Sequence, residues 1–383
     1  MRPVWVDVDL GAVTANVEVL RAVAGPVRFC AVVKADGYGH GAAPVSRAAL
    51  AGGADLLGVA LVAEGAELRD ATIAAPVLVL SQASPDELDD LVAHDLDATV
   101  DTAEGIAALA AAARRRGRDA SRPVGAHLKI DTGMHRVGAQ PHEALDLARA
   151  IEADAGLRLA SVFTHLAVAD EPDLAFTEEQ TDRYEAVLGS LKAAGIAVGY
   201  RHAANTAGTI AHPRARFDLV RCGIGIYGLD PSPALAGRVA LRPALSLRAR
   251  VSHVKRVAAG EGLSYGLRYR TERDATIATV PLGYADGVPR RLSPTGGSVL
   301  LGGHRRPIAG TITMDQFLVD CADDRVCVGD EVVLIGPQGT ERIEAEDWAT
   351  RLGTIGYEVV CAISPRVPRR YEAAPPSPPQ ERP

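Results

Sequence analysis

No stretch of this sequence approaches the ~18–20 uninterrupted apolar residues that a membrane span requires. Its first residues, MRPVWVDVDLGAV, lack the basic and apolar regions of a secretory leader. The expectation is a soluble cytoplasmic protein with no membrane partner. Clustered positive charge is equally scarce: net charge is −7, and the basic residues are scattered apart from Arg114, Arg115 and Arg116. That triplet closes an Ala-rich helical stretch, where cations complement the helix dipole, so nucleic acid binding has no support. The five cysteines (Cys30, Cys222, Cys321, Cys327 and Cys361) are odd in number, widely spread and without a CxxC pair or a histidine at ligand spacing. This argues against a disulfide framework and against a metal site. Cys30 and Cys222 lie inside apolar runs, where a free thiol acts as a small hydrophobe.

What the chain does have is length and periodic apolar segments. At 383 residues it exceeds the ~250–300 at which single cores stop growing, so two domains are expected. Hydrophobic residues make up 47% and charged residues 23%, as in globular proteins. Short apolar runs recur at 27–33, 56–61, 77–81, 97–100, 125–130, 161–166, 198–204 and 217–228, separated by segments of helical period such as TAEGIAALAAAARRR (102–116). About eight βα units are the number that closes a (β/α)8 TIM barrel; an open doubly wound sheet is the alternative. Beyond Gly228, proline punctuation gives way to alternating segments such as ALSLRARVSHVKRV, which suit a sheet with one solvated face. The predicted organisation is α/β followed by β: residues 1–10 form a strand joining the C-terminal sheet, 11–235 the barrel, 236–371 a mostly-β domain and 372–383 a proline-rich, disordered tail.

On this map the unusual polar residues fall at the C-terminal ends of the runs, where barrel enzymes place their active sites. Lys34 ends the first run, Arg136 follows the fifth, His165 ends the sixth, Asn205 and Thr206 follow the seventh, and Arg221 and Gly223 lie in the eighth. A strand-end lysine is usually a surface charge; such residues at five run ends on one rim shift the balance. HAANTAGTI (202–210) offers a hydroxyl and small residues opening a helix, and RCGIGI (221–226) offers glycines, together a fit for a phosphate after strands seven and eight. Taken alone, HAANTAG reads equally well as an N-capped helix. A lysine facing a phosphate site points to pyridoxal 5′-phosphate held as a Schiff base.

The motifs VVKADGYGHG, KIDTGMHRVG (129–138), FTHLAVAD (163–170), HAANTAG (202–208), VRCGIGIYGLDP (220–231), SYG (264–266), LGYADG (282–287), GTITMDQ (310–316) and TIGYEVVCAISPRVPR (354–369) resemble, in order, those of the alanine racemase family. The resemblance implies an N-terminal barrel, a C-terminal β domain and a homodimer with shared active sites, supplying D-alanine for peptidoglycan. It implies that Lys34 anchors the cofactor and acts as base on one face of Cα, with Tyr265 of the other subunit as base on the opposite face. Phenols ionise near ~10 in water, so a tyrosine base needs a hydrogen-bond partner, and His165 is the natural one. Arg221 would face the pyridine nitrogen, donating to it and leaving it unprotonated. Arg136 would bind the cofactor's phenolic oxygen and the substrate carboxylate, paired with a Lys129 that CO₂ can carboxylate. Tyr38, Asn205, Thr206, Gly223, Ile224 and Tyr357 match cofactor-binding positions, all but Asn205 at its phosphate. Met314 and Asp315 match the substrate site, and Tyr284 and Asp286 the entrance.

The chain departs from the family at Thr313, where cysteine is common, at Gly37, where alanine is usual, and at Thr206, where serine is usual. No catalytic group is lost, and a pocket admitting serine stays open as a reading. Two other classes remain: a decarboxylase of similar architecture, which would set a carboxylate where Arg221 stands, and a non-enzymatic pyridoxal phosphate carrier, which would not need the long C-terminal domain.

Overall fold

The computed structural model describes residues 2–171 and 174–372. The tail expected from 372 lies outside the described residues from 373 onward; Glu372 itself ends a strand. The chain divides into two compact units. One holds Gly11–Gly37 and Gly41–Pro243; the other gathers residues up to Leu10, the tripeptide Tyr38–His40 and the chain from Ala244 onward.

After the strand β1 (Val4–Asp9), the first unit is built on β2 (Arg28–Val32), β3 (Leu56–Val59), β4 (Val77–Gln82), β5 (Asp97–Val100), β6 (Val124–Lys129), β7 (Leu157–Phe163), β8 (Tyr200–His202) and β9 (Leu219–Cys222). The eight are parallel, each beside the next in sequence, and β9 returns to pair with β2. The ring closes between β8 and β9, where Asp218 N–H donates to Arg201 O and Arg221 N–H to Ala204 O, both at 3.0 Å. This is the (β/α)8 barrel. Its strands read as continuous apolar runs because the helices outside and the side chains inside bury both faces. Two expected runs sit differently. The sixth strand begins at Leu157, since Arg158 breaks the apolar run without breaking the pairing, and it ends at Phe163, which leaves His165 two residues beyond it. The eighth run is a strand only to Cys222 and then a 3-10 turn, Ile224–Tyr227.

The second unit is mostly β. β10 (Leu245–Arg250) runs antiparallel to β1, with Val6 opposite Leu247, and β1 is parallel to the strand Arg369–Glu372. Strands Glu331–Gln338, Ser298–Leu301 and His304–Pro307 extend this sheet beyond β10. A separate three-stranded sheet pairs His253–Val257, Ala275–Val280 and Phe317–Asp320 in that order. Tyr38–His40 is held in this unit by Arg369, whose Nε donates to Gly39 O at 3.0 Å. No helix among the described residues is long and apolar enough to cross a membrane.

Candidate active site

Lys34 follows β2 by two residues and opens a turn in which Ala35, Asp36, Gly37 and Tyr38 all have left-handed φ, from 50° to 60°. Such geometry costs an L-residue about 1–2 kcal/mol, so the turn needs support. Asp36 Oδ1 accepts the Ala42 N–H at 2.8 Å, and Glu64 accepts the Ala35 N–H at 2.6 Å. At Gly37 an added Cβ would meet the Ala42 backbone at 3.3 Å with φ +60°, which favours glycine there.

Arg221 is buried within the barrel. Its Nη1 donates to His202 Nδ1 at 2.7 Å, and its Nη2 donates to Thr164 O and Ala203 O, each at 2.9 Å, with His165 Nδ1 at 3.3 Å. Burial brings Arg221 down to about 10, which leaves it a cation at neutral pH. Burial, and then Arg221, hold His165 and His202 well below the usual imidazole range, so both rings are neutral. With Nδ1 facing a guanidinium donor, His165 carries its proton on Nε2.

Lys129 ends β6 with Nζ 3.1 Å from Leu80 O and 5.4 Å from the centre of the Phe163 ring. Burial, followed by the charges of Arg221 and Arg136, brings it down to about 8; Asp101 opposes the shift, and Lys34 adds to it. Lys129, Arg136, Thr164 and His165 line one small cleft. The exposed Arg136 rides on a loop organised by Asp131, whose Oδ1 accepts the N–H groups of Gly133, Met134 and His135 at 2.9, 2.9 and 3.1 Å.

Asn205 caps the helix Thr206–Ala211 through Oδ1, which accepts the Gly208 N–H at 2.8 Å. Thr206 Oγ1 accepts the Gly223 N–H at 3.0 Å, joining the two loops after β8 and β9. The first N–H groups of this helix and of the Ile224 turn have no intrahelical acceptor, an arrangement suited to an anion.

The remaining predicted residues belong to the β unit. Tyr38 and Tyr357 approach with ring centroids 6.1 Å apart, and burial pushes the Tyr38 phenol up. Tyr265 is 74% exposed, presented by a turn in which Ser264, Gly266 and Leu267 have positive φ, and its carbonyl accepts from Thr311 Oγ1 at 2.8 Å. The Tyr284 and Met314 segments are tied by Tyr284 N–H to Thr313 O at 3.0 Å and Ala285 N–H to Met314 O at 3.1 Å; both side chains are exposed. An added Cβ at Gly283 would stand 2.3 Å from both carbonyls, so only glycine permits the approach. Asp286 is fully buried, ion-paired with Arg2 at 2.5 Å and Arg366 at 3.4 Å, while Arg366 also meets Asp315 at 2.7 Å. Asp286 therefore supports the Tyr284 turn from inside. The Thr313 hydroxyl is used by its own turn, donating to Gln316 O at 2.7 Å.

Sequence reasoning missed His202, Thr164 and Glu64. His202 stands in the seventh run, followed by Ala203 and Ala204, which is a usable signal; nothing marks Glu64 as reaching a backbone group 29 residues away.

The family models for the N-terminal and C-terminal domains of alanine racemase match residues 8–231 and 244–371. Alanine racemase of Symbiobacterium thermophilum is 50% identical over 372 residues, covering 97% of each chain. That of Frankia casuarinae is 45% identical over 369 residues, covering 95% of each. The crystal structure of alanine racemase from the D-cycloserine producer Streptomyces lavendulae superposes with a TM-score of 0.91 at 40% identity, covering 97% of both chains.

Proposed function

The chain belongs to the alanine racemase family, and we propose that it interconverts L- and D-alanine with pyridoxal 5′-phosphate, using Lys34 and Tyr265 as bases on opposite faces of Cα. The observation that carries this reading is Arg221: a buried guanidinium with N–H donors beyond those already engaged, facing neutral histidines and, among the described residues, no carboxylate partner. A decarboxylase of related architecture would call for an acid there.

The residues present fit the cofactor. Lys34 supplies the amine; Thr206 supplies a hydroxyl and the turn from Gly223 to Ile224 an N–H without an intrahelical acceptor for a phosphate; and Arg221 supplies donors but no acceptor, while the family resemblance adds the phenols of Tyr38 and Tyr357. Bound there, pyridoxal phosphate supplies the electron-withdrawing ring that makes the Cα proton removable. Arginine cannot take a proton from the ring nitrogen or give one up at working pH. By leaving that nitrogen unprotonated, Arg221 would moderate the ring's electron withdrawal and so favour quick return of the proton to Cα over transamination.

Arg136 holds the substrate carboxylate and the cofactor's phenolic oxygen. Lys129, with a neutral fraction near neutral pH, is suited to react with CO₂, and the resulting carbamate would pair with Arg136. Tyr265, Tyr284 and Met314 are 74%, 44% and 52% exposed, as suits side chains that complete the barrel site of a second copy in a homodimer. In that arrangement the Met314 N–H binds the substrate carboxylate, His165 Nε2–H donates to the Tyr265 oxygen, Asp315 shapes the pocket beside Met314, and Tyr284, backed by Asp286, narrows the entrance. D-Alanine for peptidoglycan, made in the cytoplasm, is the corresponding biological role.

The test is chiral chromatography of L-alanine, with L-serine in parallel, after incubation with cofactor-loaded protein. Conversion of alanine toward a racemic mixture, with serine turned over far more slowly, is expected. Bound cofactor without conversion of either amino acid would overturn the reading.

A further inference from the structure

Arg221 terminates a line of polar side chains that takes one residue from each of five neighbouring strands: Asp97 of β5, His127 of β6, Ser161 of β7, His202 of β8 and Arg221 of β9. Arg221 Nη1 lies 2.7 Å from His202 Nδ1, His202 Nε2 lies 2.8 Å from Ser161 Oγ, and Ser161 Oγ lies 2.6 Å from His127 Nδ1. His127 Nε2 then stands 3.4 Å from Asp97 Oδ2. The two histidines and the serine are fully buried, whereas the Asp97 side chain is 28% exposed.

The chemistry allows only one direction along this line. A guanidinium has no acceptor, so His202 Nδ1 must be bare and its proton must sit on Nε2. Ser161 Oγ receives that proton's hydrogen bond and passes its own hydrogen to His127 Nδ1. His127 is thereby also protonated on Nε2, which lies near the Asp97 carboxylate without a hydrogen bond to it, so their link is electrostatic. A second proton on His202 would set two donors against each other at 2.7 Å. Burial and the Arg221 charge act in the same sense on that ring. The line also has a built end: an added Cβ on Gly125 would stand 2.1 Å from Asp97 Oδ1, so the carboxylate lies over β6 only because that residue is glycine.

We propose that Ser161, His127 and Asp97, acting through His202, are positioning residues for Arg221: they lock His202 in the tautomer that accepts from the guanidinium and place the balancing carboxylate three side chains away. Arg221 keeps its orientation without a neighbouring acid, and its remaining donors stay directed by the protein. This rests on the reading of Arg221 as the contact to the cofactor ring. A purely space-filling role for Ser161 would leave the histidine tautomers and the cofactor environment indifferent to its hydroxyl.

The experiment is nitrogen NMR on cofactor-loaded protein labelled with ¹⁵N-histidine, with His127 and His202 assigned by single His→Asn variants. His202 is expected to show a bare Nδ1 and a protonated Nε2 from about pH 6 to about pH 9, although a free imidazole titrates near ~6.5, and His127 is expected to carry its proton on Nε2, with Nδ1 accepting from Ser161. Ser161→Ala is expected to take the acceptor from His202 Nε2–H, so that the ring turns away from Arg221 and loses its fixed tautomer, to shift the cofactor absorbance maximum and to lower kcat about tenfold, the scale of other outer-sphere partners. Ser161→Thr, which returns the hydroxyl, should recover all three. Asp97→Ala, at the half-exposed end, should release the His127 tautomer, and it serves as the second variant should Ser161→Ala fail to fold. A His202 protonated on Nδ1 in the wild type, or tautomers and absorbance unchanged in both variants, would overturn the proposal. A wild type that racemises alanine with unlocked tautomers sinks the relay alone; one that does not racemise sinks the functional reading.

Discussion

One oxygen of Glu64 accepts the Ala35 N–H at 2.6 Å, while its other oxygen accepts the N–H groups of Ala60 at 2.7 Å and Leu61 at 3.1 Å. A single carboxylate thus caps its own helix and anchors the left-handed turn beside Lys34. Glu64→Ala releases both, so a loss of about 2 kcal/mol is expected from charge-assisted bonds of this kind, together with at least a tenfold fall in kcat as the lysine loses its placement. Glu64→Gln, with one carbonyl acceptor, should fall between. Urea unfolding and racemisation rates of the three proteins check this; an Ala variant as active as wild type would show that the turn is held without Glu64.

The tripeptide 38–40 gives a second test. Gly39 has φ +79°, and a Cβ there would stand 2.5 Å from Val360 O. Gly39→Ala must therefore shift backbone against backbone, at a cost of about 2–4 kcal/mol. Because the neighbouring Tyr38 ring lies 6.1 Å from that of Tyr357, the same variant should weaken cofactor binding. Thermal unfolding and fluorescence titration with pyridoxal phosphate measure the two effects separately.

How far these arrangements were legible in the sequence depends on the range of the contacts involved. The barrel was legible because each strand is buried on both faces and reads as an apolar run, and because Lys34 and Arg221 stand out against such runs. The left-handed turn was half legible: Gly37, Gly39 and Gly41 announce it, but Ala35, Asp36 and Tyr38 share its φ, and only Glu64 and Asp36 explain how they can. Asp286 could be read as an entrance residue but not as a buried ion partner, since Arg2 lies 284 positions away. Asn205 and Thr206 carried two readings, cap and ligand; the structure shows Asn205 capping its helix and Thr206 bound to Gly223 N–H, bonds that both readings allow. His202 escaped because a histidine within a strand does not reveal which neighbour's charge it will meet.

Lys129 predicts a pH dependence. Its amine lies at about 8 in the fold against 10.5 for the free side chain, because of burial and then Arg221 and Arg136. Below about 8 both folded and unfolded chains are protonated, and the fold bears the full cost of a buried cation. Between about 8 and 10.5 the unfolded chain holds the extra proton, so stability rises with pH across that window. In CO₂-free buffer the urea midpoint of wild type should climb relative to Lys129→Met over this range. Added bicarbonate should flatten the difference by converting the amine to a carbamate, and ¹³C-labelled bicarbonate should give a carbamate resonance absent from Lys129→Met. Parallel midpoints for the two proteins in CO₂-free buffer would mean that the lysine is not perturbed.

The two proposed bases call for asymmetric losses. Lys34→Ala removes both the covalent anchor and one base, so the protein should fail to retain pyridoxal phosphate through gel filtration and should show no racemisation in either direction. Tyr265→Ala should keep the cofactor, because the tyrosine is 74% exposed and belongs to a different unit from Lys34. What it loses is one proton donor and acceptor. Racemisation should fall by ~10²–10⁴, the range for removal of a general acid or base. Exchange of the Cα hydrogen with deuterated solvent should then persist for one enantiomer, served by Lys34, and fail for the other. Proton NMR of L- and D-alanine incubated separately in D₂O reads this directly. Equal loss of exchange from both enantiomers would place the two substrates on a single base, and equal retention would remove Tyr265 from the chemistry.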